Sequence, residues 1–149
     1  MYHGPDYINQ YERVELGDVI WAVIRRPCDS HLILVGRMTV DWIGSKSEAS
    51  TRLRMQELDL WDADLYVICD HPEPFDHIDI NDYAAELRFN SKASDRLELV
   101  NGLVRPQQLQ TMRELAASSA QLFRDLWYDV NETAAPVTDL TFAEGQPIL

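Results

Sequence analysis

Two histidines and four carboxylates crowd one short stretch of the chain. In "DHPEPFDHIDI" His71 and His77 bracket Pro72 and Pro74, with Asp70, Glu73, Asp76 and Asp79 beside them. Imidazole and carboxylate are metal ligands in principle. The spacing matches no familiar metal site, and the two prolines dictate an irregular segment, so an ordinary loop is expected and neither a metal nor another cofactor is assigned. Nucleophilic chemistry has no better footing. There is no Gly-x-Ser-x-Gly, neither Cys28 nor Cys69 sits in a Cys/His setting, and no Gly-rich phosphate loop is present. What remains is flat aromatic surface, carried by Trp21, Trp42, Trp61 and Trp127. Trp127 falls on the apolar stripe of a helix, and Trp21 has apolar strand neighbours, so both read as core residues. Trp42 ends a strand and Trp61 sits in a polar loop, where packing explains them less well.

The charge restricts what such surfaces could meet. Twenty-five acidic side chains against 13 basic ones give a formal charge of −12 over 149 residues. Asp129, Glu132, Asp139 and Glu144 make residues 129–149 a purely acidic tail, so the first 128 residues hold −12 + 4 = −8. That field repels polyphosphate at long range and disfavours strong nonspecific nucleic-acid binding. Eleven of the 13 bases are Arg, the side chain suited to bidentate contacts. No apolar run approaches the ~18–20 residues needed to span a bilayer, and the N-terminus lacks the pattern of a secretory signal. Two cysteines fit reduced structural thiols, and the expected location is cytoplasmic, with no membrane partner.

These residues must be positioned by short elements. Residues 1–13 read as an irregular lead-in. "VELGDVIWAVIRR" places a tight turn at Gly17-Asp18 before a strand over 18–26, with Val19, Ile20, Val23 and Ile24 buried. "RPCDS" turns the chain into "HLILVGRMTVDWI", a long strand over 31–43 interrupted at Gly36, and the two strands make a hairpin. Residues 44–64 are polar with modest helical propensity, Ser47 serving as a cap with Ser50 in place of the usual Glu. Short strands are expected at 65–70, 84–90 and 96–100, with a turn at Asn101-Gly102. Leu109, Met112, Leu115, Ala116, Leu122, Phe123 and Leu126 recur at helical spacing, which predicts one amphipathic helix from Pro106 to about residue 128. The expected architecture is α+β, with five to six strands, a domain over 1–128 and an extended or disordered tail over 129–149. Leu140, Phe142, Ile148 and Leu149 offer that tail a means of docking on a partner or on a second copy.

"VELGDVIWAVI" followed by "LILVGRMTVDWI" resembles the PUA-like superfamily, and within it the EVE and YTH branch. The shared elements are Gly17-Asp18 entering a strand, then Val35-Gly36-Arg37-Met38-Thr39-Val40. "ELRFN" and "LQTMRELAASSAQLF", with Arg113-Glu114-Leu115, are similar to the closing strand and helix of such domains. The resemblance covers roughly residues 14 to 128 and implies a small β-barrel with a C-terminal helix. It also implies a pocket for a nucleic-acid base, in DNA or RNA and often a modified one, or for a nucleotide-like ligand. On that reading Trp42 and Trp61 would stack on the base, each stack contributing about 1–3 kcal/mol, with Trp21 as a further wall. Ser45 and Asn90 would read polar edges, and Arg37 or Arg88 would meet phosphate. The module would bind without catalysis. A second alternative is a hydrolase of a modified nucleoside. "GSKSEASTR" partly resembles the Gly-x-Lys-x-x-Glu-x-Arg of ASCH domains, and Lys46 and Glu48 would be its acid/base pair. A third is a protein-interaction domain with no small ligand.

Overall fold

Asp18 sets the start of the described fold. Its carboxylate accepts from the Glu15 amide at 2.9 Å, and its own amide donates to the Glu15 carbonyl at 3.1 Å. Gly17 supplies the positive φ, +92°, that this turn needs. The tight turn expected at Gly17-Asp18 is therefore present, and it launches β1 (Val19–Arg25). The computed structural model describes residues 13–91 and 94–134. Most of the lead-in expected over 1–13 and the tail beyond 134 lie outside them.

The described residues form an α+β fold, with seven short strands among them in small antiparallel sheets and a C-terminal helix. β1 lies beside β2 (Leu32–Thr39), which pairs with β5 (Ile78–Asp79) through Ile33 opposite Asp79 and Leu34 opposite Ile78. β3 (Trp42–Gly44) pairs with β4 (Tyr66–Ile68), and β6 (Leu99–Val100) with β7 (Leu103–Val104). The β6–β7 turn is the expected Asn101-Gly102, with φ of +54° and +76°, the double positive φ that a two-residue hairpin requires. Two compact units result. One comprises the described residues up to Ile20 together with Arg37–Glu73; the other comprises Trp21–Gly36 and the chain from Pro74 onward.

The second unit holds the main core. Leu32, Leu34, Ile80, Leu87, Val104, Phe123 and Trp127 are buried together, with Trp21 and Val23 packed against them. Trp21 meets Phe123 and Trp127 edge-on, at ring-centroid distances of 5.7 and 6.0 Å. β1 is an edge strand among the described residues. Trp21 and Val23 pack one of its faces on the core. Val19, at the strand's start on that same face, and Ile24, on the opposite face, were expected to be buried and are exposed. Gly36 does not interrupt β2. A Cβ there would meet the Phe75 ring at 3.0 Å, so glycine admits that ring, and the strand stops instead after Thr39. There Val40 exchanges backbone bonds with Asp18 and Gly17, and Asp41 donates to Ile68.

The helix expected from Pro106 to about residue 128 is divided. Pro106–Leu109 is a 3₁₀ turn, and the α-helix, α2, spans Ala117–Ala134. Between them the backbone is used elsewhere: Asn90 donates to Glu114, Ala116 donates to Arg88, and Phe89 bridges Leu115. Leu115 thus meets the core from an extended segment, and its helical spacing to Leu109 and Met112 is coincidental. Residues 129–134, expected in the tail, belong to α2. The strand expected over 84–90 begins inside a 3₁₀ helix, Asn81–Glu86; Leu87 beyond it is extended, and Phe89 makes an isolated bridge to Leu115. Among the described residues no helix is long and apolar enough to cross a membrane.

Trp127 is 1% exposed. Trp127→Ala should therefore lower the unfolding free energy by about 3–5 kcal/mol in a urea titration. Ile24→Ala, on the open face of the edge strand, should change it by about 0.5 kcal/mol or less.

Candidate functional site

In the first unit the polar residues organise around a short helix, α1 (Lys46–Leu53). Its cap is Ser45 and not the expected Ser47. The Ser45 hydroxyl accepts from the Glu48 amide at 3.2 Å, and the Glu48 carboxylate takes the Ser45 amide at 3.2 Å, a complete capping box. These bonds hold the Glu48 carboxyl below its ordinary value, through the Ser45 hydroxyl first and the Ser45 amide second. A general acid or base near neutral pH needs the opposite shift. Lys46 points its ammonium at Asp62, 3.8 Å away. The Lys46/Glu48 pair of the hydrolase alternative is thus committed to other partners.

β3 brings Trp42 beside α1. Gly44, two residues along the same strand, lets the indole lie against the backbone, since a Cβ there would come within 2.4 Å of the ring. The Arg52 guanidinium stands 5.5 Å from the centre of the Trp42 ring and donates to both oxygens of Asp70 at 2.7 and 2.8 Å. The Asp70 amide is in turn held by the Asp41 carboxylate at 2.7 Å. Arg37, on the same unit, places Nε 3.2 Å from Glu73. Trp61 follows a 3₁₀ turn at Glu57–Asp59 and is 89% exposed. Sequence reasoning missed Arg52. Arg52 is the basic residue in the last turn of α1, ten residues past Trp42, and its type and position were the available signal.

No family model, curated protein or solved structure matches the chain.

The other sequence candidates belong to the second unit, where their polar atoms are spent internally. Trp21 is packed against the core, as its apolar neighbours suggested. Arg88 donates Nη1 to the carbonyls of Ala85 and Leu87 at 2.9 Å, and its amide donates to Ser119. Asn90 donates to Leu115 at 3.4 Å. Arg113, expected within the helix, lies before it with its guanidinium 4.1 Å from the Phe89 ring centre. Cys28 and Cys69 are free thiols.

His71 and His77 are exposed and do not join a metal-ligating group. The one convergent set of three among the described residues is Asp29, His31 and Asp79, whose ligand atoms lie within 4.8 Å of one another. Their cation is already present as a side chain. The Arg26 fork engages both oxygens of Asp29, and its Nη2 reaches Asp79 at 3.2 Å. His31 Nδ1 sits 2.7 Å from Asp79 Oδ2. This is an ion-paired clasp across the β1–β2 turn and β5. Arg26 holds the Asp29 carboxyl far below the usual range, and His31 lowers Asp79. Asp79 raises His31 above its ordinary 6.5.

A raised imidazole stabilises the fold fully below pH 6.5, where it is charged folded and unfolded alike, and loses that contribution as pH rises through the folded value. The lowered Asp29 and Asp79 act oppositely, contributing above 3.8 and losing it in acid. Urea midpoints should therefore fall between pH 6.5 and the alkaline side in the wild type, and His31→Gln should remove that slope. Ser45→Ala should cost about 1 kcal/mol of stability in the same titration, as loss of a cap.

Proposed function

We propose that the chain is a non-catalytic binding module for a nucleic-acid base of DNA or RNA, with Trp42 as the stacking surface and Arg52, which stands over its ring, as the cation. The observation that supports the reading is the guanidinium held 5.5 Å from the Trp42 ring centre. A guanidinium and a base are both flat and both stack on indole. Arg52 and Asp70 are each more than a third exposed, so their ion pair is weak. Exchanging Asp70 for a phosphate or a base edge costs Arg52 little, and its fork suits either. Ser45 and Glu48 serve the helix cap, so the recognition rests on the indole and the guanidinium.

Of the two stacking candidates Trp42 suits this role better than Trp61. Glu57, Asp59, Asp62 and Asp64 flank Trp61 and repel the phosphates that accompany a base. The finer architecture belonging to this reading is the small PUA-like β-barrel that the resemblance implies, in a cytoplasmic protein.

Fluorescence anisotropy with short DNA and RNA oligonucleotides, plain and base-modified, tests it at low and near-physiological salt. The expected result is selective binding of one strand, weakened about tenfold or more by Trp42→Ala and by Arg52→Ala. Absence of binding at low salt, or binding that both variants leave unchanged, would overturn the reading.

A further inference from the structure

The segment after α1 combines exposure and charge in a way an idle surface does not need. Leu58 is 91% and Trp61 89% exposed, with Met55 at 43%. The backbone beneath them is fixed. Arg54 and Met55 donate to the carbonyls of Thr51 and Ser50, the Ser50 hydroxyl donates back to Met55, and Asp59 and Leu60 close on Gln56 and Glu57. Arg54 takes φ of +55° to end the helix and turn the chain outward. Two large apolar side chains are thus held in water from an ordered turn, the arrangement of an anchor that has its pocket on another molecule.

The surrounding charge narrows what that molecule is. Glu57, Asp59, Asp62 and Asp64 lie within eight residues, and no Lys or Arg occurs between Arg54 and Arg88. Among the described residues the one ion pair these four make is Asp62 to Lys46 at 3.8 Å, with the Asp62 carboxylate fully open to water. Nucleic acid and an anionic membrane are repelled by this set. A second copy brings the same four carboxylates to a symmetric contact. Residues 135–149 carry Asp139 and Glu144 and no base, so the chain's own end is a poor occupant as well. A cationic protein surface is attracted, and neutralising the carboxylates favours the complex.

We infer that residues 55–64 are a docking segment for a basic protein partner, Leu58 and Trp61 entering an apolar face whose rim carries Lys and Arg. The inference uses neither Trp42 nor Arg52, so it stands or falls apart from base binding.

The probe is a fluorescein-labelled, helical Leu/Lys peptide of about 15 residues, presenting one apolar and one cationic face. Its controls are the same peptide with Glu for Lys, an oligolysine of equal charge and a single-stranded oligonucleotide. The Leu/Lys peptide should bind the full chain, and Leu58→Ala/Trp61→Ala should weaken it about tenfold or more. Asp59→Asn/Asp62→Asn/Asp64→Asn should weaken it comparably, and raising NaCl from about 0.05 M to about 0.5 M should weaken the wild-type complex. All substituted side chains are exposed, so thermal melting should stay unchanged and separate lost docking from lost folding. Equal affinity for the wild type and the Leu58/Trp61 variant would overturn the inference. So would oligolysine binding as tightly as the Leu/Lys peptide, or the oligonucleotide binding through Trp61.

Discussion

Burial of the Trp127 indole is the constraint on which the second unit depends. At 1% exposure it needs apolar atoms on every side, and Trp21 and Phe123 supply two edge-on partners. To reach them α2 must begin at Ala117, and the chain before it must be tied down. Ser119 and Ala116 do this through the Arg88 amide and carbonyl, at 2.8 and 2.9 Å, and the Phe89–Leu115 bridge completes the splice. Once the splice exists, Leu109 packs on the core from the 3₁₀ turn and Leu115 from extended backbone. The same packing sets Trp21 against the core.

The first unit is organised differently. Only Val40 and Ala49 among its described apolar residues are buried, and much of its order comes from polar bonds made by short side chains. Asp18 ties the Gly17 turn, Ser45 and Glu48 close the capping box, and Asp41 positions the Asp70 amide. Such bonds fix backbone without covering aromatic surface. That is why Trp42 is only half-buried and Trp61 stands largely exposed.

Charge divides along similar lines. The Arg26–Asp29–His31–Asp79 clasp is balanced within itself: one guanidinium and one imidazole meet two carboxylates across the β1–β2 turn. Arg52 meets Asp70, and Arg105 meets Glu98. The four acids from Glu57 to Asp64 have no comparable set of bases, so this segment carries a local negative charge. Electrostatics therefore separate two aromatic residues that look alike in sequence: Trp42 keeps company with a cation, Trp61 with anions.

Local chemistry was legible in the sequence wherever neighbouring residues settle a structure among themselves. Gly17-Asp18 and Asn101-Gly102 specify their turns because only glycine adopts the required φ without strain, at +92° and +76°. The apolar character of β2, the presence of a final helix containing Trp127 and the α+β class follow from patterning alone. Tertiary structure decided what depended on distant partners. Helical spacing could not reveal that residues 114–116 bond to residues 88–90, because hydrogen bonds between segments so far apart in the chain leave no periodicity. Ser45 rather than Ser47 caps α1 because β3 ends at Gly44, a boundary set by pairing with β4. The Asp29–His31–Asp79 clasp and the Arg52–Trp42 contact each unite residues that only the folded chain brings within reach.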